Sequence, residues 1–312
     1  MKCAYCGNEA KATREHIISS CILDLFPECF LTIDENRKRI YSADPVINDV
    51  CADCNNNKLS YIDNNAKRIV QKYFVQSYDA DDTVEIDYNY VLLQKILLKY
   101  AYNDLRSNHD DISYFNDEII GFLLNQDDVT PKKEITILAG LAVNTSPVPD
   151  YMFGNIKLRW SKSPILLSNS IILNIDYETG QIFRREHLEV EKFEGLALSY
   201  IFRFGSGQFI LLCWDKDCPN LETNLIVISV QYPYEILSKD STITTIARCT
   251  DETTYHLFKL VDVNWGHGLS DEITHMRKLA SNTCESAFSE MNVLWKKEEE
   301  RIAREHKAGV IL

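Results

Sequence analysis

Cys3-Ala4-Tyr5-Cys6, Arg14-Glu15-His16-Ile17-Ile18 and Cys51-Ala52-Asp53-Cys54-Asn55 are the stretches on which the reading of this chain turns. Two C-x2-C pairs bracket a Glu-His dipeptide, and an asparagine follows the second pair directly. Four thiolates in two such knuckles suit a closed, tetrahedral, structural zinc site. A carboxylate, a histidine and an amide on the same clasp suit a second, harder cation and a general base. The pairs lie 44 residues apart, well beyond the ~15–20 of a plain zinc ribbon, so something is inserted between the knuckles. The alternative for Cys3, Cys6, Cys51 and Cys54 is four buried thiols without a ligand, which two matched pairs disfavour. Cys21, Cys29, Cys213, Cys218, Cys249 and Cys284 lack such pairing and read as ordinary core or surface residues.

The totals place this clasp in a larger globular chain. The chain has 312 residues, 45% of them hydrophobic, which suffices for a sizeable core and suggests about two domains. No apolar run approaches the ~18–20 residues of a membrane span, and the N-terminus has no apolar signal core. The expectation is a cytoplasmic protein with no membrane partner, in which paired cysteines bind metal rather than form disulfides. Net charge is −13. Residues 1–70 hold nine Lys/Arg against ten Asp/Glu, with basic clusters at Arg37-Lys38-Arg39 and Lys67-Arg68, so the acidity belongs to the remainder. That balance argues against a strong non-specific grip on nucleic acid by the C-terminal part.

Periodicity gives the coarse organisation. Leu59, Ile62, Ala66, Ile69 and Tyr73 recur at helical steps, predicting a helix over 56–73. The acidic run around Asp79 to Asp82 marks a boundary, so the expected units are 1–78 and 79–312. In the second unit a strong amphipathic pattern predicts a helix over 90–106, and 115–124 also reads as helical. From 134 to 230 the character turns β-rich, at 134–138, 171–175, 208–212 and 224–228, with turns at Gly205-Ser206-Gly207 and Pro219-Asn220. A long polar helix with an apolar stripe is expected over 271–308. The fold class is therefore α+β: a zinc-clasped N-terminal domain followed by a mixed helical and antiparallel-β domain.

The order C-x2-C, Glu-His-Ile-Ile, C-x2-C-Asn, then Lys58 and Ile62-Asp63, resembles the HNH endonucleases, in particular their zinc-clasped ββα-metal branch. The likeness covers about residues 3–65. It implies a phosphodiester hydrolase in which His16 is the general base and Asn48 orients it. Glu15 and Asn55 would hold a catalytic Mg²⁺ or Mn²⁺, with Asp63 or Asn64 a possible further ligand. Arg14 and Lys58 would contact phosphate. Zinc on the four cysteines would only hold hairpin and helix in register. Two positions depart from the pattern: Asn48 stands three residues before Cys51, and Ser19 follows Ile18 where many relatives carry proline.

The resulting expectation is a metal-dependent DNA endonuclease, of a kind used in restriction or phage defence. Its acidic second domain would serve for regulation through a protein partner or a homo-oligomer. Phosphodiester hydrolysis needs no base or sugar readout, so RNA stands as an alternative substrate. The competing expectation is a zinc-stabilised binding module in which Glu15-His16 is a surface ion-pairing dipeptide. The module needs neither His16 nor Asn55; the nuclease needs both.

Overall fold

The computed structural model describes residues 1–27, 32–34, 39–41, 44–79, 81–142, 158–162, 171–175, 182–187, 193–231 and 234–249. The chain runs β1 (Ala12–His16), α1 (Ser20–Leu23), β2 (Thr32–Asp34), β3 (Arg39–Tyr41), β4 (Val46–Cys51), a π-helical turn over Cys54–Lys58, and α2 (Ser60–Tyr73). Then come β5 (Thr83–Asp87), α3 (Tyr90–Asn108), α4 (Asp117–Leu124), β6 (Ile135–Leu141), β7 (Leu158–Lys162), β8 (Ile171–Ile175) and β9 (Ile182–His187). β10 (Leu196–Phe204), β11 (Gly207–Trp214), α5 (Leu221–Gln231), β12 (Glu235–Ile236) and β13 (Ile243–Ala247) complete it. The result is an α+β chain whose strands pair antiparallel, with a cysteine cluster at its N-terminus.

β1 and β4 form a two-stranded ribbon in which Ala12 faces Cys51, Thr13 faces Val50, Glu15 faces Ile47 and His16 faces Val46. Between the second and third of these pairs Arg14 stands opposite two residues, Asn48 and Asp49. The extra residue makes a β-bulge on β4, which bends the strand and re-aims its side chains. α2 follows the ribbon through the π-helical turn, giving a ββα order over residues 12–73.

α3 runs through the main core of the described residues. Seventeen of its residues are buried, including Lys95, Lys99, Asn103, Asp104 and Arg106. A helix enclosed on all sides must pair its polar groups, and this one does. Gln94 Nε2 donates to Lys132 O at 2.8 Å, Lys95 Nζ to Asn125 O at 2.6 Å, and Asp104 accepts from Tyr200 OH at 2.6 Å. Asn89 caps its start by accepting from Leu92 N. At its end Asp110 N reaches Leu105 O at 2.9 Å, with His109 in the left-handed conformation at φ 59°. That is a Schellman-type stop carrying histidine where glycine is usual.

Behind α3 lies a five-stranded sheet in the order β12-β6-β11-β10-β7. Its three central strands, β6, β11 and β10, are largely apolar because both faces are covered. Tyr200, Phe202, Phe204, Phe209 and Leu211 join the core around α3, while Ile201, Ile210, Leu212 and Trp214 pack under α5 with Ile228. Gly205, at φ +60°, makes the β10–β11 turn. The turn tip meets the end of α2, where Ser206 N donates to Phe74 O at 2.9 Å.

The α3 core includes Cys3, Tyr5, Cys51 and Cys54 as well as Ile246. The expected helices appear as α2, α3 and α4, and the expected strands at 134–138, 171–175 and 208–212 appear as β6, β8 and β11. The segment 224–228 is the correction: it is helical, within α5, not a strand. Leu221, Leu225 and Ile228 face the sheet while Ile226 and Val230 face outward. Helical spacing and the turn begun by Asn224 N to Asn220 O override the β preference of Ile-Val-Ile. The helix expected over 271–308 and the basic Arg37-Lys38 pair lie outside the described residues. Among the described residues no helix is long and apolar enough to cross a membrane.

Candidate metal centre and the face of His16

Cys3 and Cys6 sit on the N-terminal knuckle, Cys51 at the end of β4 and Cys54 at the start of the π-helical turn. Strand pairing brings the second knuckle onto the first, and all four Sγ atoms lie within 4.8 Å of one another. Tetrahedral zinc with ~2.3 Å Zn–S bonds needs sulfurs about 3.8 Å apart, and Cys6 and Cys51 stand 3.8 Å apart. Cys51 N donates to Cys3 Sγ at 3.4 Å and Cys54 N to Cys51 Sγ at 3.5 Å, as suits sulfur carrying negative charge. The tetrad can hold a metal ion such as zinc.

The thiols differ. Burial pushes the Cys3 thiol up, but N–H bonds from the backbone at Cys51, Cys6 and Tyr5 outweigh it and bring it down to about 7. Burial pushes Cys6 and Cys54 up, Cys54 with added help from hydrogen bonds to its sulfur neighbours. Cys3 is therefore the first of these three to lose its proton.

Glu15 and Asp63 come together, though on an ammonium. Lys99 Nζ lies 2.9 Å from Glu15 Oε1 and 2.7 Å from each oxygen of Asp63. Tyr100 OH adds a bond to Asp63 Oδ1 at 3.3 Å. Burial works to strip the Lys99 proton, and the two carboxylates outweigh it and hold the group above its usual value. Two carboxylates converging on one site call for a cation, and Lys99 is that cation. Among the described residues the cysteine tetrad is the one group of His, Cys, Asp or Glu ligand atoms assembled to hold a metal.

His16 is directed differently. Glu15 points into the core, and the alternation of β1 sends His16 to the other face. Its side chain is 28% exposed, with Nε2 3.3 Å from Asp44 Oδ2. A carboxylate at Nε2 favours the proton on that nitrogen and leaves the Nδ1 lone pair to accept another. Beneath it, Asn103 Nδ2 donates to His16 O at 3.0 Å and to Glu15 Oε1 at 3.2 Å.

Asn55 stands at the start of the π-helical turn, and its Nδ2 donates to Thr13 Oγ1 and Arg14 O, both at 3.1 Å. This amide pins the helix start to β1 and leaves Oδ1 as its lone-pair atom. Arg14 is exposed at the bulge. Lys58 pairs with Asp53 at 2.9 Å on the surface. Asn48 is exposed and lines an open cavity of about 610 Å³ with Asp49, Tyr102, Arg106 and His109; His16 is not in its wall.

Lys99, Asn103, Arg106, Tyr5 and Asp44 escape a motif-based reading. A signal for three of them exists: 99, 103 and 106 are polar positions at helical spacing within the apolar pattern of α3. Asp49, paired with Arg106 at 2.8 Å, belongs to the same set. No protein-family model, no curated protein and no solved structure matches this chain.

Proposed function

We propose that the clasped ββα unit is an HNH-like phosphodiester hydrolase acting on DNA. The observation that carries this reading is the placement of His16: at the end of the clasped ribbon, partly exposed, with Asp44 at Nε2 and its main chain held from below. His16 would take the proton of the attacking water through Nδ1. Zinc on the tetrad would be structural. Mg²⁺ or Mn²⁺ would supply Lewis-acid stabilisation of the phosphate, with Asn55 as the protein ligand that fits. Glu15 and Asp63 fit that cation poorly, because Lys99 holds both. We assign them to structure rather than to the catalytic metal. Arg14 is the exposed cation beside this face and would meet phosphate; Lys58 would do so only by leaving Asp53. The acidic remainder of the chain would restrain or recruit, as a restriction or defence effector requires.

The pairing of Lys99 with both carboxylates favours a second reading: a zinc-stabilised interaction protein without hydrolysis. Cleavage of supercoiled plasmid under Mg²⁺, Mn²⁺ or EDTA separates the two, with wild type beside His16→Ala and zinc measured in both. Metal-dependent nicking that disappears in the variant supports the hydrolase. Its absence from zinc-loaded wild type supports the interaction protein.

A further inference from the structure

We infer that Asn103 is a positioning residue for His16 and couples it to the cysteine clasp; the inference rests on the reading of His16 as the base. Asn103 lies on α3, outside the ββα unit, and is fully buried. Its amide is used on both sides. Nδ2 donates to Glu15 Oε1 at 3.2 Å and to His16 O at 3.0 Å. Oδ1 accepts from Tyr5 OH at 2.8 Å and from Arg106 Nη2 at 2.6 Å. Two donors on one atom and two acceptors on the other fix which end of the amide is which.

The partners define a path. Tyr5 sits between Cys3 and Cys6, so its ring moves with the first knuckle. Tyr102, on the same helix, donates from its hydroxyl to Ala4 O at 3.0 Å and stacks edge-on against Tyr5. On the other side Asn103 holds two consecutive residues of β1, one by side chain and one by main chain. With Glu15 clamped by Lys99 and the His16 carbonyl by Asn103, the strand end is tied to α3 at two successive residues. α3 therefore acts together with the β4 pairing in setting the direction in which the His16 ring leaves the strand. The main chain here is also held by the β1–β4 pairing at His16 and Val46 and by Ile17 N to Pro45 O at 2.9 Å. Ordering of the clasp by metal thus reaches the base through Tyr5 and Asn103.

The test uses zinc-loaded full-length protein with ¹³C-labelled histidine rings, the His16 resonance being identified by its loss in His16→Gln. Asn103→Ala removes the tie, and Tyr5→Phe keeps the ring and removes only its hydroxyl bond to Asn103. The expected result is a displaced His16 resonance in both variants, smaller in Tyr5→Phe, with zinc content unchanged. DNA cleavage by Asn103→Ala should fall about 10- to 100-fold in kcat with KM little altered, as for a misplaced base. An unmoved His16 resonance in a folded, zinc-loaded variant overturns the inference. If Asn103→Ala does not fold, Tyr5→Phe decides alone. Absence of cleavage by wild type would remove the hydrolase reading, while the resonance still reports whether Asn103 sets the ring.

Discussion

The ammonium of Lys99 lies 2.9 Å from Glu15 Oε1, with both side chains sealed from water at 1% and 3% exposure. With Asp63 on its other side, this lysine joins β1, α2 and α3 in one buried ionic cluster. Breaking a buried pair from one side leaves an uncompensated charge, which costs about 3–5 kcal/mol. Lys99→Met should destabilise the protein by that order in urea unfolding. Combining it with Glu15→Gln and Asp63→Asn should recover most of the loss. A Lys99→Met protein as stable as wild type would mean that the cluster does not hold these elements together.

Gly205 makes the turn that seats the sheet on α2. A Cβ there would stand 2.0 Å from Phe74 O and 2.8 Å from the Phe26 ring, at a backbone φ of +60°. Neither the carbonyl that ends α2 nor the turn can yield without losing the Ser206–Phe74 bond. Gly205→Ala should therefore cost more than about 1–3 kcal/mol, with strain and overpacking acting together. Thermal unfolding would show a clear drop in midpoint.

His109 is the opposite case, a side chain where glycine fits better. It is the one non-glycine residue at positive φ among the described residues, and a left-handed L-residue costs roughly 1–2 kcal/mol. The added freedom of glycine in the unfolded chain returns part of that gain. His109→Gly should stabilise the protein by about 0.5–1 kcal/mol in chemical unfolding. A loss of stability would mean that the His109 side chain contributes more than its backbone strain.

Cys3 gives the metal-free protein a pH signature. Its thiol falls from 9.0 to about 7 in the folded chain. A lowered acid pKa adds stability that is complete above the unfolded value and is lost as pH falls through the folded one. The midpoint of metal-free protein should therefore rise between pH 7 and pH 9, and Cys3→Ser should flatten that rise. Zinc-loaded protein, whose four ligand thiols are deprotonated when folded and regain protons when unfolded, should rise more steeply with pH up to the unfolded thiol value.

The cysteine clasp was legible because its chemistry is written in fixed spacings, and a strand pair need only bring two knuckles together. α3 was legible from Leu93, Ile96, Leu97 and Tyr100, whose period is helical. What α3 does was not, because Asp63 lies 36 positions from Lys99 and Tyr5 lies 98 from Asn103. Glu15 and Asp63 read as metal ligands until Lys99 is placed between them, and no local pattern places it. The 224–228 segment misled for a similar reason: Ile-Val-Ile suits a strand, and only the sheet beneath α5 makes its helical spacing count. The role given to Asn48 came from the resemblance alone; in the structure it stands at the β4 bulge and lines the cavity beside Arg106.

The central claim is that His16 performs metal-dependent phosphodiester hydrolysis on a zinc-held frame. The most direct test is the nicking of supercoiled plasmid by zinc-loaded protein under Mg²⁺, Mn²⁺ and EDTA, wild type beside His16→Ala. The account predicts nicking by wild type with Mg²⁺ or Mn²⁺, none with EDTA, and a loss of at least about 100-fold in a His16→Ala protein that keeps its zinc. Equal nicking by the two proteins, or none by wild type, would contradict it.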